Sequence, residues 1–344
     1  MNHPTVSVIM ATYNTPFEWL EESIRSILQQ SFTDFEFIIV DDGSVNTSVE
    51  DAKRLFADDK RIRWIKNETN IGLAASLNVA LNEATGKYIA RMDADDISYP
   101  NRLEVQHEYM ESHLDVIACG TYRFSFGLDE KIEKWNMPKS REKQQAELFF
   151  YNCGPTHPTV MMRRSMLDKN QLRYHEKYRN AEDYGLWVDC LKYAPMYIIP
   201  RVLLRYRKST SQTTNANLDK VMSTAARVRI DQVRSIGIEP TDNEIIMHER
   251  FCQNLYNKDP DCLEKWIKNL KARNAERQVF QVKAFNASID RRWYQYCRDQ
   301  YRINLHPDYA QVYRRAKNLK QVAMEAVLTM KVGLLRIVNR ICAH

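Results

Sequence analysis

Cysteine is sparse and unpatterned. Seven residues, Cys119, Cys153, Cys190, Cys252, Cys262, Cys297 and Cys342, are scattered over 344 positions without a CxxC pair. That argues against a disulfide scaffold and a zinc site and fits a reducing compartment. No GxGxxG occurs, so the dinucleotide fingerprint is missing. No uncharged apolar run approaches the length of a membrane span. The N-terminus is strand-like from Thr5 and lacks the basic region and apolar core of a signal peptide, so none is expected. Internal repeats and low-complexity segments are also missing. What remains is globular, with 44% hydrophobic and 27% charged residues. The length suits one large domain or two ordinary ones.

The net charge of +6 conceals a split, since residues 1–200 carry −7 and residues 201–344 carry +13. A basic half suggests an anionic partner, either nucleic acid or an anionic membrane. The acidic half and the lack of any recognition motif count against nucleic acid. Beyond about Thr214 proline thins out and the pattern turns helical. Leu319, Ala323, Val327, Met330, Leu334, Ile337 and Ile341 form one apolar stripe, with Lys317, Arg336 and Arg340 off it. Such a helix either docks on a membrane surface or is the buried face of a helical domain.

The first hundred residues alternate strand and helix. Strands are expected at Val6–Ala11, Phe35–Val40, Ile62–Lys66 and Lys87–Met92. Between them lie helices after Thr15, from about Ser48 to Ala57, and from Asn70 to Ala84. Thr15, Pro16 and Glu18 read as N-cap, first position and capping box of the first helix. This order makes a mostly parallel sheet with helices on both faces. Thr12-Tyr13-Asn14, Asp41-Asp42 and Asp93 to Asp96 then fall at strand ends along one edge, where such folds bind ligands. Residues 101–207 are mixed, with short strands at Tyr197–Ile199 and Val202–Tyr206 and a helix after Asn180-Ala181-Glu182-Asp183.

Asp93, Asp95 and Asp96 crowd three negative charges into four residues. Oxygen-rich sets of this kind suit Mg²⁺ or Mn²⁺. A plain acidic loop capping the next helix is the alternative.

With these clusters in place the chain resembles the inverting family 2 glycosyltransferases of the GT-A fold. The matching residues are Val6 to Asn14, Phe37 to Ser44, Asn70-Ile71-Gly72 with Asn78, Asp93-Ala94-Asp95-Asp96, Thr156-His157-Pro158-Thr159 and Glu182-Asp183, in that order. The resemblance implies a GT-A domain over residues 1–213, with a nucleotide-sugar half of about 1–100 and an acceptor half of about 101–213. A C-terminal mainly helical region, 214–344, would carry the basic amphipathic tail at 314–341.

The resemblance also implies residue roles. Ala11, Thr12, Tyr13, Asn14, Asp42, Gly72, Asn78, Asp93, Ala94 and Asp95 would bind the nucleotide sugar, with Tyr13 stacking on the base and Asp42 accepting from its N–H. Asp95 and Asp93 would hold the metal, while Asp96 is either a further ligand or a helix cap. Asp183 would be the catalytic base. His157 and Glu182 would face donor or acceptor, His157 being equally readable as a loop histidine. The family's Tyr-Arg-x-His is here Tyr206-Arg207-Lys208-Ser209, so the third protein ligand is missing and Arg207 or Lys208 could offset diphosphate charge instead. The Gln-x-x-Arg-Trp motif of processive synthases is absent, which favours single-sugar addition.

The implied reaction is hexosyl transfer from a UDP-linked sugar (galactose, glucose or an N-acetylhexosamine) to a saccharide hydroxyl. An undecaprenyl-diphosphate-linked acceptor, in O-antigen, capsule or exopolysaccharide assembly, would place the enzyme in the cytoplasm, peripheral to the inner membrane face. A glycosyltransferase-like scaffold without activity is the alternative.

Overall fold

The computed structural model describes residues 3–209 and 218–317. Their contacts divide into two compact units. One takes the chain up to Leu148 and again from Asn152 to Arg229; the other takes Phe149–Tyr151 and the chain from Ile230.

The first unit opens as the alternation requires: β1 (Val6–Thr12), α1 (Phe17–Leu28), β2 (Phe35–Asp41), α2 (Ser48–Leu55), β3 (Ile62–Lys66), α3 (Leu73–Glu83) and β4 (Tyr88–Arg91). It continues with β5 (Ile97–Ser98), α4 (Arg102–Ser112), β6 (Ala118–Gly127), β7 (Lys131–Glu133) and α5 (Arg141–Leu148). After a 3₁₀ turn (His157–Thr159) come β8 (Met161–Arg163), α6 (Arg164–Lys169), a second 3₁₀ turn (Glu176–Tyr178), α7 (Glu182–Cys190) and β9 (Met196–Lys208). The sheet order is β3-β2-β1-β4-β8-β6-β9-β5, with β7 on β6. Pairing is parallel through β3-β2-β1-β4, and β8 enters antiparallel to both β4 and β6.

Register explains why the polar clusters share an edge. Thr12 pairs with Asp41, and Ile9 with Arg91, so β1, β2 and β4 run out on the same side of the sheet. Alternate side chains supply the two core layers. Ile9, Ile38, Val40 and Ile89 face Leu77 of α3 and Leu186 and Trp187 of α7. Val8, Met10, Phe37 and Tyr88 face Leu20 and Ile24 of α1, Ala52 of α2 and Leu103 of α4.

Two local expectations are corrected. The helix after Thr15 begins at Phe17 with no side-chain cap, because the Thr15 hydroxyl accepts from Thr12 Oγ1 at 2.9 Å. The strands expected at Tyr197–Ile199 and Val202–Tyr206 are one long β9. Its register on β6 jumps from Ile199↔Thr121 to Val202↔Tyr122, so Pro200, which has no N–H to give the ladder, sits in a bulge.

The second unit is built on α8 (Leu218–Ser235, which crosses the division), α9 (Asp242–Cys252), α10 (Pro260–Arg277) and α11 (Val282–Arg298). Thr241 and Glu244 form a complete capping box on α9, and Asp259 caps α10 ahead of Pro260. Phe149 is an aromatic hub here, edge-on to Phe150, His248, Phe280 and Phe285 at 5.0–5.7 Å. No helix among the described residues is long and apolar enough to cross a membrane. The stripe from Leu319 to Ile341 lies outside them.

Candidate active site

The loop after β1 is pinned to the loop after β2. Asn14, at φ 51°, accepts the Val45 N–H on Oδ1 at 2.9 Å, and its own N–H goes to Ser44 Oγ at 3.0 Å. Thr12 is buried and Ala11 half-buried, but the Tyr13 ring is 49% exposed, free to stack on a flat ligand. Beside it Asp42 is only 3% exposed. Its Oδ1 accepts from Asn67 Nδ2 and the Ile71 N–H, and its Oδ2 from the Gly72 N–H, each at 2.9 Å. Three donors hold the carboxylate fixed and leave Oδ2 a lone pair for a further N–H. Gly43 is obligatory at this turn: φ is +73° and a Cβ would lie 2.7 Å from the Thr69 carbonyl carbon. Gly72 (φ +92°) lets the main chain bend into Asp42, with the Arg179 guanidinium beyond.

Asn78, on α3, ties that helix to the segment before the second 3₁₀ turn. Its Nδ2 donates to the Tyr174 carbonyl at 2.8 Å and its Oδ1 accepts the Tyr174 N–H at 2.9 Å. The amide thereby holds main chain 96 residues distant.

Beyond β4 the chain turns through Asp93-Ala94-Asp95-Asp96. Ala94 packs into the core, while Asp93 and Asp95 are half-buried. Asp93, Asp95 and Asp96 each offer an oxygen within 4.8 Å of the others. Asp96 is fully buried; its Oδ1 accepts the Arg207 N–H at 2.8 Å and its Oδ2 has no partner. It therefore anchors β9 and does not cap α4, whose N-cap position is Asn101. Burial and the charges of Asp95 and Asp93 hold its pKa well above the carboxylate range. A crowded set with an unused buried oxygen has the chemistry of a hard-cation site. Arg207 and Lys208 are already engaged. Arg207 Nε donates to the Asp95 carbonyl at 2.7 Å and its Nη2 pairs with Glu22, while Lys208 Nζ pairs with Glu133 at 2.8 Å.

Sequence reasoning missed Arg91. It ends β4, is 2% exposed and ion-pairs with Asp93, while its Nε and Nη1 have no partner. The available signal was a cation closing an otherwise apolar strand beside the acidic cluster. Arg91 acts electrostatically on both Glu182 and Asp183, at the start of α7. It also faces His157, which is buried and donates to or accepts from the Tyr174 hydroxyl at 2.8 Å. Burial, then Arg91, pushes the imidazole pKa well down, so His157 is neutral.

The two acids of α7 differ. Glu182 is 8% exposed, and burial together with the neighbouring Asp183 charge pushes its pKa up to about 7. Asp183 is partly exposed; burial raises its pKa, opposed by the Tyr184 N–H at 2.6 Å, the Asn152 amide at 3.0 Å and Arg91. Both carboxyls are thus raised, Glu182 to about 7, while the donors on Asp183 oppose its rise.

A second grouping, His248, Glu249 and Cys252 on α9, has another explanation. His248 Nδ1 accepts from Trp266 Nε1 at 3.2 Å, so Nε2, 3.4 Å from Cys252 Sγ, carries the proton. It is a joint between α9 and α10.

The model for the family "Glycosyl transferase family 2" matches residues 7–170. An uncharacterized glycosyltransferase of Methanocaldococcus jannaschii is 42% identical over 261 residues, 74% of this chain and 84% of that one. The putative glycosyltransferase EpsE of Bacillus subtilis is 40% identical, covering 54% of this chain and 66% of EpsE. In structure the chain is similar to S. aureus TarS 1-349 in complex with UDP-GlcNAc, with TM-score 0.58, 16% identity and 93% and 92% of the two chains covered. It is also similar to the mannosyltransferase PcManGT of Pyrobaculum calidifontis in complex with GDP-Man and Mn²⁺, with TM-score 0.53, 16% identity and 95% and 88% covered. The chain belongs to glycosyl transferase family 2 and is a glycosyltransferase.

Proposed function

We propose that the chain transfers a single sugar, with inversion, from a UDP-linked sugar to a hydroxyl of a lipid-linked saccharide in bacterial surface-polysaccharide assembly. The observation that carries this reading is the acidic set after β4, whose oxygens gather within 4.8 Å on the sheet edge shared with Tyr13 and Asp42. The base stacks on Tyr13 and gives an N–H to Asp42. Asp95 and Asp93, with Asp96 behind them, are the residues that would hold Mn²⁺ or Mg²⁺. Such an ion supplies Lewis-acid compensation for the charge growing on the departing diphosphate. Asp183 takes the proton of the acceptor hydroxyl as its oxygen bonds to the anomeric carbon. The bond from that carbon to the diphosphate breaks, and the nucleoside diphosphate leaves with the electron pair. Glu182, whose pKa burial and the Asp183 charge push up to about 7, gives up its proton later than a free carboxylic acid and so adds less negative charge beside Asp183.

The complexes of TarS with UDP-GlcNAc and of PcManGT with GDP-Man and Mn²⁺ support a nucleotide-diphosphate donor and a divalent ion. The basic C-terminal half supports a location at an anionic membrane face, where a lipid-linked acceptor is presented. The test is a panel of UDP-glucose, UDP-galactose, UDP-N-acetylglucosamine and GDP-mannose, with and without Mn²⁺, followed by nucleoside diphosphate release. Metal-dependent release from a UDP-sugar supports the proposal. Equal release with and without metal, or release from GDP-mannose alone, contradicts it.

A further inference from the structure

Asn152 belongs to no motif and stands 31 residues from Asp183, yet the two are bonded. Its amide is used at both ends: Oδ1 accepts the Gly154 N–H at 3.1 Å, and Nδ2 donates to Asp183 Oδ2 at 3.0 Å. The first bond fixes which end of the amide is oxygen, so the NH₂ must meet the carboxylate. The loop is itself seated on α7. Trp187, one turn beyond Asp183, covers Gly154 so closely that a Cβ there would lie 2.3 Å from its Cδ1. The loop carrying the donor and the helix carrying the acid are thus one packed piece.

We infer that Asn152 is a positioning residue for the transfer, which fixes the Asp183 carboxylate and keeps it ready to receive the acceptor's proton. The inference rests on Asp183 being the base. Oδ1 of Asp183 accepts the Tyr184 N–H at 2.6 Å. Asn152 occupies one lone pair of Oδ2 and leaves the other free, on a carboxylate partly open to solvent. A donor on a carboxylate favours its ionised form. Arg91, from the end of β4, also favours the Asp183 charge, while Glu182 beside it on α7 and Tyr174, from the segment before the second 3₁₀ turn, have their own pKa raised by that charge. Burial disfavours the charge, so Asn152 and Arg91 are the side chains that sustain it.

The test is a carbon-13 carboxyl titration of the full chain labelled at aspartate, with the Asp183 signal assigned from Asp183→Asn. Asn152→Ala removes the donor, and the Asp183 midpoint should move to higher pH. Asn152→Asp still accepts from Gly154, so the loop keeps its bond, but it faces Asp183 with a like charge; the midpoint should rise further. At neutral pH, turnover on the most active sugar of the panel should fall roughly 10–100-fold, the worth of one hydrogen bond to a charged group. UDP affinity should stay within about twofold, since Asn152 touches no part of the nucleotide site. Unmoved midpoints in both variants overturn the inference. Asp183→Asn separates the two readings. If it is inactive while the Asn152 variants leave the midpoint alone, only the role of Asn152 falls. If it turns over like the wild type, the base assignment falls and this inference with it.

Discussion

Glu182→Gln should stabilise the protein in a pH-dependent way, and the size follows from its burial. In the folded chain burial and the Asp183 charge push the Glu182 pKa up to about 7 from its ordinary 4.5. Below 4.5 the acid is protonated folded or unfolded and contributes no pH dependence. Between 4.5 and about 7 the unfolded chain gives up the proton and the fold retains it, so stability falls as pH rises. Above about 7 the fold carries a buried charge beside Asp183. At about 1.4 kcal/mol per pH unit of difference, the loss amounts to about 3 kcal/mol. Glutamine keeps the shape and cannot ionise. The stability difference between Glu182→Gln and wild type should therefore grow by about 3 kcal/mol from pH 4.5 to pH 8, read from urea unfolding at each pH. A difference that is constant across that range would refute the argument, because it would mean that Glu182 ionises in the fold as it does in water.

Other consequences follow from the same geometry. Asp95→Ala should abolish the tightening of UDP binding by Mn²⁺ in titration calorimetry; unchanged metal dependence would remove Asp95 from the ion site. Phe149→Ala opens the aromatic hub of the second unit and should cost about 3–5 kcal/mol. Calorimetric melting would detect it, and a loss under about 1 kcal/mol would show the hub to be plastic. Asn78→Ala should weaken the fold by freeing both bonds to the Tyr174 main chain, while UDP binds as before. If UDP affinity falls more than stability does, Asn78 touches the donor directly.

The polar edge of the sheet was legible in sequence because it depends on local rules. Short strands buried on both faces and close to one another in the chain end at Thr12, Asp41 and Arg91, and parallel register brings those ends level. The failures are tertiary. Thr15 had every local sign of a cap, yet its hydroxyl serves Thr12 instead. The gap left between Ile199 and Val202 holds Pro200, and the bulge that lets one strand run through it is set by pairing with β6, which no local pattern reports. Asn152 and Asn78 act on residues 31 and 96 positions away, and no periodicity reports such pairs. Arg91 is a single cation at the end of a strand, and only burial against both acidic clusters reveals its weight.

The central claim is that Asp183 takes the acceptor's proton at a site distinct from the one that binds the nucleotide. Asp183→Asn is the most direct test, because it keeps the shape and removes the proton acceptance. Turnover on the active UDP-sugar and the dissociation constant for UDP with Mn²⁺ should be measured on the same preparation. Turnover is expected to fall by about 10²–10⁴-fold, the usual contribution of a general base, with the dissociation constant nearly unchanged. Turnover near that of the wild type, or a dissociation constant that rises as far as turnover falls, would contradict the account.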